Sequence, residues 1–284
     1  MVQVAVAQFA PGVNKDENLA AIGGLAAEAA GRGAKVVVFP EFAMFTAPKL
    51  DGRFVDSAEP LDGPFTTGLG ALARRYGVHL VAGVNERLDD PGRPPVPAHR
   101  ESTDELRPAP RFSNTLVAVG PGGDVVAEYR KLHLYDAFGY EESALVRPGD
   151  IGEPETFAVD GVTFGMQTCY DVRFPEVTRR IVDAGADVLA LPAAWVPGPL
   201  KEDHWRTLVR ARAIENTVYV AAAGQCAPMG AGNSMIADPM GVVAAGLGED
   251  PGVVSGEVSA ERIAAVRAKN PALALRRFTV VQAG

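Results

Sequence analysis

With 284 residues, 47% of them hydrophobic, the chain is long enough for one large domain with a sizeable core, and no apolar run nears the roughly 18 uncharged residues of a membrane span. A formal net charge of -8 argues against a nucleic-acid or anionic-membrane surface, since both need a basic footprint, and leaves a small molecule as the default partner. Two cysteines in unrelated contexts, Cys169 and Cys226, exclude a disulfide framework and fit a reducing cytoplasm, and no signal-peptide pattern opens the chain.

In chain order, residues 2–9 form a nearly continuous apolar run, as expected of a strand buried on both faces. Asn14, with Glu17 three residues on, predicts a helix start; Leu19, Ile22, Leu25, Ala26 and Ala29 give that helix an apolar stripe ending at Gly31 and Gly33. A strand to Phe39 completes β-α-β. The unit repeats with a helix over 66–76, closed by Gly77, and a strand over 78–84. From 87 to 111, Pro91, Pro94, Pro95, Pro97, Pro108 and Pro110 among many charges mark a loop or insertion within the domain. Residues 116–119 and 125–129, joined by Gly120-Pro121-Gly122-Gly123, read as a β-hairpin, which makes the sheet mixed.

Beyond the hairpin a strand runs to Cys169, a helix starts near Pro175, 188–191 is a strand and 204–216 an amphipathic helix. Strands over 218–223, 234–237, 242–245 and 253–258 follow, with Gly241 in a turn. Two β-α-β-rich halves, each closed by a hairpin, predict an α/β domain over 1–284 in which two sheets pack face to face with helices outside. The tail after Asn270-Pro271 is unassigned; its Leu273, Leu275 and Phe278 are candidates for docking on a partner subunit.

Three of these runs end on residues that can do chemistry: Glu41, Lys131 and Cys169. If the runs are neighbouring strands of one sheet, a carboxylate, an ammonium and a thiol meet in one crevice, where open α/β sheets carry their sites. Cys169 sits at a strand-to-helix elbow, a setting that lowers a thiol pKa and favours the nucleophilic thiolate. The competing reading of a lone cysteine is a small buried hydrophobe, and Cys226, in Ala223-Gly224-Gln225-Cys226-Ala227, keeps it. Glu41 is a general base or a solvated loop charge; Lys131 is an oxyanion donor or a snorkelling edge-strand lysine. His133 and His204 leave a Cys-His peptidase open as well.

Phe39-Pro40-Glu41, Tyr129-Arg130-Lys131-Leu132-His133-Leu134 and Cys169-Tyr170-Asp171-Val172-Arg173-Phe174-Pro175-Glu176, in that order and spacing, resemble the nitrilase (carbon-nitrogen hydrolase) superfamily. So do Tyr140-Glu141-Glu142-Ser143, Leu191-Pro192-Ala193-Ala194-Trp195, 210–216 and 234–241, so the resemblance spans the chain. It implies a four-layer α-β-β-α sandwich with two mixed sheets and a Glu-Lys-Cys triad. In that triad Glu41 takes the thiol proton, Cys169 attacks, and Lys131 with the backbone N–H of Tyr170 holds the oxyanion. Glu142 matches the second glutamate that orients Lys131. The family usually dimerises, which implies a homodimer or higher homo-oligomer.

True nitrilases resemble Cys-Trp-Glu after the nucleophile, whereas this chain has Cys169-Tyr170-Asp171, which is similar to the Nit-type amidases. The branch implies release of ammonia from a small carboxylate-bearing amide through a thioester, as in ω-amidases or deaminated-glutathione amidases. An N-carbamoyl hydrolase is the alternative within that chemistry, and a catalytically silent binding or regulatory protein on the same scaffold the alternative outside it. Arg173 is placed to receive the substrate carboxylate, or else to pair with Asp171 or Glu176. Tyr140, Phe138, Trp195 and the Pro197-Gly198-Pro199 loop are expected pocket walls. No metal-ligand spacing and no phosphate loop is present, so no cofactor is expected.

Overall fold

Strand β1 (Val2–Gln8) alternates valine and alanine because its two faces meet different neighbours. Val4 and Val6 pack on a second sheet, while Ala5 and Ala7 give helices room to lie close. The same division runs through β2 (Val36–Val38), β3 (His79–Arg87) and β4 (Phe112–Val119), which explains why residues 36–38, 80–84 and 116–119 are apolar without a polar alternation. The computed structural model describes residues 1–88 and 111–282, so nearly all of the expected insertion at 87–111 lies outside the described residues.

With β5 (Val125–Arg130) and β12 (Gly252–Val258), these strands form a mixed six-stranded sheet in the order β12-β1-β2-β3-β4-β5. The second sheet has the order β11-β10-β9-β8-β7-β6, built from β6 (Thr156–Val159), β7 (Val162–Met166), β8 (Val188–Ala193), β9 (Tyr219–Gly224), β10 (Met235–Ala237) and β11 (Val243–Gly246). Each sheet has a parallel centre, β1-β2-β3 and β7-β8-β9, flanked by antiparallel strands. Between the sheets lie Val36, Val38, Val81 and Leu116 on one side and Phe164, Met166, Val188 and Ile236 on the other.

Helices α1 (Lys15–Gly31) and α3 (Pro64–Tyr76) cover the outer face of the first sheet with Ile22, Ala26, Leu69 and Ala73. Helices α4 (Pro175–Asp183) and α5 (Lys201–Asn216) cover the second with Val177, Ile181, Trp205 and Val209. The result is the expected α-β-β-α sandwich of two mixed sheets. The Asn14 side chain caps α1 by accepting from the N–H groups of Asp16 and Glu17 and donates to Glu17 at 2.9 Å, the pairing read from the sequence. Gly77 closes α3 in the left-handed conformation.

Several expectations are corrected. β2 stops at Val38 and β7 at Met166, so Glu41 and Cys169 lie three residues beyond their strands rather than on their last positions. The three strands are not neighbours: β3 and β4 separate β2 from β5, and β7 belongs to the facing sheet. The residues still converge because their strand ends open at one edge of a sandwich whose layers lie face to face. Helices α3 and α5 begin earlier than expected, at Pro64 and Lys201. Two helices were not read from the sequence, α2 (Gly52–Ser57) and α6 (Ala260–Lys269), and neither was β6. In the tail, Leu273 packs on the protein's own second outer layer, while Leu275 and Phe278 are exposed.

Candidate active site

Glu41 reaches the site because the chain leaving β2 crosses closely over β3. The crossing needs Gly83: a Cβ there would lie 2.5 Å from the backbone nitrogen of Phe42 and 2.8 Å from the Cα of Glu41. Phe42 itself turns the chain with a left-handed φ of 54°. Glu41 is held at both carboxylate oxygens. Oε1 accepts from Lys131 Nζ at 2.9 Å and Asn114 Nδ2 at 2.7 Å, and Oε2 accepts from the Ala194 N–H at 2.7 Å. The first two donors come from its own sheet and the third from just beyond β8 of the other.

Lys131 follows β5 directly, with its N–H donating to the Asn114 carbonyl at 2.9 Å. Its ammonium also donates to Glu142, at 2.8 Å to Oε2 and 3.1 Å to Oε1. Glu142 opens a single 3-10 turn and is fixed by the Tyr135 N–H at 2.6 Å. Glu41, Lys131 and Glu142 are only 1%, 2% and 3% exposed, so these charges must be balanced by one another and by fixed dipoles rather than by water. Burial works against the Lys131 charge, yet the Glu142 and Glu41 carboxylates outweigh it and hold the ammonium pKa well above the ordinary lysine value.

Cys169 starts the 3-10 turn Cys169–Arg173 with a left-handed φ of 45°, a strained conformation for a residue with a side chain. Asp171 anchors this elbow: it is wholly buried and accepts from Tyr129 Oη at 2.7 Å, the His133 N–H at 3.0 Å and the Thr168 N–H at 3.2 Å, while His133 Nδ1 lies 2.9 Å away. Asp171 thereby ties the elbow to the segment carrying Lys131. The sequence expectation of a lowered thiol pKa is reversed. Burial and the Glu41 carboxylate push the Cys169 thiol well above its ordinary value, and Lys131 offsets only part of that. The thiol rests protonated beside a carboxylate.

Glu41, Lys131, Glu142 and Cys169 line one cleft of about 850 Å³ including its open mouth. Tyr170 lines it too, and the first N–H groups of a helical turn such as the one it belongs to have no partner within the turn. Tyr140 and Trp195 line the cleft, together with Phe42, Leu50, Phe54 and Met229, which add apolar surface to it. Phe138 stacks outside on Tyr135 and is largely exposed. Among the described residues, no group of three or more His, Cys, Asp and Glu side chains is arranged to hold a metal ion.

The family model described as carbon-nitrogen hydrolase matches residues 3–268. The chain belongs to the carbon-nitrogen hydrolase family. It is 39% identical to a deaminated glutathione amidase of Escherichia coli O157:H7, covering 98% of each chain, and 36% identical to a hydrolase of Mycobacterium tuberculosis, covering 94% of this chain and 92% of that one. Among solved structures it is similar to the NitFhit protein of C. elegans, with a TM-score of 0.81 and 29% identity, covering 97% of this chain and 65% of that longer one. It is also similar to an amidase from Nesterenkonia sp. AN1, solved as a Glu-to-Gln mutant with acrylamide added at the active-site cysteine, with a TM-score of 0.72 and 25% identity over 97% of this chain and all of that one.

Within this carbon-nitrogen hydrolase, three features of the site escaped sequence reading. Asn114 bridges Glu41 and Glu142, donating also to Glu142 Oε1 at 3.1 Å; its signal is the polar triplet Ser113-Asn114-Thr115 inside a buried strand. Ala194 acts through its backbone N–H, to which its letter gives no clue. Lys201, buried at the start of α5, lines the cleft with its ammonium on the Tyr135 hydroxyl. Arg173 does not line the cleft and pairs with neither Asp171 nor Glu176; its guanidinium stacks 4.9 Å from the Trp195 ring centre, and Nη2 lies 3.4 Å from His204 Nδ1. Asp171 is unavailable to it because its oxygens are already taken. Cys226 is free and buried, its thiol pushed up by burial, in keeping with a packing role.

Proposed function

We propose that the protein is a cofactor-free thiol amidase that releases ammonia from a small amide bearing a carboxylate. The observation that carries this reading is the Glu41 carboxylate, fixed at both oxygens, sharing one cleft with the thiol of Cys169 and the ammonium of Lys131. Glu41 takes the thiol proton as Sγ attacks the amide carbon, and Lys131 with the Tyr170 N–H stabilises the oxyanion. The C–N bond then breaks as Glu41 returns the proton to the departing nitrogen, leaving an acyl thioester and ammonia. Water, deprotonated by Glu41, attacks the thioester and frees the carboxylic acid and the thiol. Glu142 and Asn114 keep Lys131 and Glu41 in register throughout.

The relatives named deaminated glutathione amidase and the solved amidases support this chemistry. The same reading carries a homodimer in a reducing cytoplasm, supported by two free cysteines and by the exposed Leu275, Phe278 and Val281 of the tail, and sedimentation of the purified protein checks the former. The decisive experiment measures ammonia release from primary amides by wild type and Cys169→Ala, with the acyl adduct on Cys169 sought by mass spectrometry. Wild-type turnover with an adduct, and none in the variant, supports the reading. Turnover retained by Cys169→Ala sinks it, and stoichiometric carbon dioxide among the products points to carbamoyl hydrolysis instead.

A further inference from the structure

Among the described residues, Lys201 and Arg173 stand together at the cleft without an acidic partner. The Lys201 ammonium lies 4.6 Å from the ring centre of Phe138, 4.8 Å from that of Tyr135 and 5.6 Å from that of Trp195. The Arg173 guanidinium faces two of the same rings, Trp195 at 4.9 Å and Phe138 at 6.0 Å. Among the described residues neither cation forms a salt bridge, and Arg173 Nε is buried with no hydrogen-bond partner. By contrast, Lys131 is paired with Glu41 and Glu142, Arg130 with Glu86, and Arg212 with Glu215.

Two neighbouring like charges taken out of water repel and lose hydration, and aromatic faces offset only part of that cost. Burial and the Arg173 charge together lower the Lys201 pKa from its ordinary value. An anion brought by the ligand would relieve both penalties. The placement also fits a ligand that reaches the nucleophile, because Lys201 and Cys169 line the same cleft whereas Arg173 lies behind its wall.

We propose that Lys201, backed by Arg173, is the specificity-determining residue of this amidase, its ammonium receiving the carboxylate of the amide substrate while the amide carbon sits at Cys169. The proposal rests on the amidase reading above and moves the first contact with the carboxylate from Arg173 to Lys201. Tyr135 positions the ammonium through its hydroxyl, and the Trp195 indole N–H, donating to the Lys201 carbonyl at 2.7 Å, fixes the start of α5 that carries it.

The test compares glutaramate, an amide with a free carboxylate, with hexanamide, a neutral amide of similar length, on wild type, Lys201→Met and Lys201→Arg. Wild type is expected to prefer glutaramate. Lys201→Met should raise the glutaramate KM about tenfold or more, the worth of a charge-assisted hydrogen bond, and collapse the ratio of the two kcat/KM values, with kcat moving far less. Lys201→Arg, which keeps the charge, should restore much of that ratio and shows that the site tolerates substitution. A Lys201→Met variant that keeps the preference, or loses activity equally on both amides, overturns the role of Lys201, as does a wild type that takes both amides equally. A wild type that hydrolyses neither amide overturns the amidase reading itself.

Discussion

Lys131 and Glu41, ninety residues apart in sequence, form a 2.9 Å ion pair just beyond the strand ends, with side chains 2% and 1% exposed. Because Glu142 shares the same ammonium, the cluster holds two carboxylates against one cation, and Asn114, the Ala194 N–H and the Tyr135 N–H supply the remaining positive dipole. Removing the cation strands both carboxylates in a dry interior. Lys131→Met is therefore expected to cost about 3–5 kcal/mol of stability and about 10²- to 10³-fold in kcat. Adding Glu142→Gln to Lys131→Met removes one stranded charge and should recover stability without recovering turnover. Urea midpoints and ammonia release read the two effects separately; a double variant no more stable than the single one would show that excess charge is not the cause.

Gly83 sets the position of the base through backbone contact alone. A methyl group at 2.5 Å from the Phe42 nitrogen cannot be absorbed by rotating a side chain, so Gly83→Ala must push the segment that carries Glu41. We expect kcat to fall at least about tenfold, since displacing a catalytic group by an ångström is costly, with secondary structure retained by circular dichroism. Gly24, exposed on α1 with no atom within 4 Å of the point a Cβ would occupy, is the control: Gly24→Ala should leave turnover unchanged and add about 0.5–1 kcal/mol. Equal activity losses in both variants would refute the explanation.

What could be read from the letters and what could not divides along the distance over which each effect acts. Glu41, Lys131 and Cys169 were legible because each follows an apolar run, Glu142 only through the family resemblance, and the central strands because burial on both faces leaves them largely apolar. The assignment of β7 to a separate sheet was not, since an apolar run carries no record of which layer it joins. Asn114 is 73 residues from the carboxylate it steadies and Ala194 is 153, so neither contact has a local trace. The direction of the Cys169 pKa failed for the same reason. Its local elbow favours the thiolate, but burial and Glu41, which only the fold brings near, decide the outcome.

His133 tests the alternative of a cysteine-histidine pair. Its Nδ1 is 2.9 Å from Asp171, its ring stacks on Phe174 with centres 3.6 Å apart, and it is absent from the cleft lining. The other candidate, His204, faces Arg173. We expect His133→Gln to retain turnover within about tenfold while losing roughly 1.5–3 kcal/mol, the range for a hydrogen bond to a charged group. Asp171→Asn should be worse in both respects, because it disturbs the anchors from Tyr129 and Thr168 that position the Cys169 elbow. A folded His133→Gln variant without turnover would favour the histidine mechanism over the carboxylate one.

The raised pKa of Cys169 also makes stability fall on the alkaline side. The thiol titrates in the unfolded chain near its ordinary 9.0, and in the folded protein well above that, because burial and Glu41 disfavour the thiolate. Below pH 9 both states hold the proton and the contribution is constant. Above it the unfolded state releases the proton while the folded state keeps it, so stability drops by up to about 1.4 kcal/mol per pH unit for this group until the folded pKa is reached. Tyr129 and Lys131 are raised too and push the same way. Cys169→Ser removes one titrating group and leaves the others, so urea midpoints taken from pH 8 to pH 10.5 should decline less steeply in the variant, with the two curves running parallel below pH 9. Parallel curves across the whole range would mean that the folded thiol titrates at its ordinary value. Alkylation by iodoacetamide supplies an independent readout, because a thiol held protonated beside Glu41 should react slowly at pH 7 and faster as the pH rises past 9.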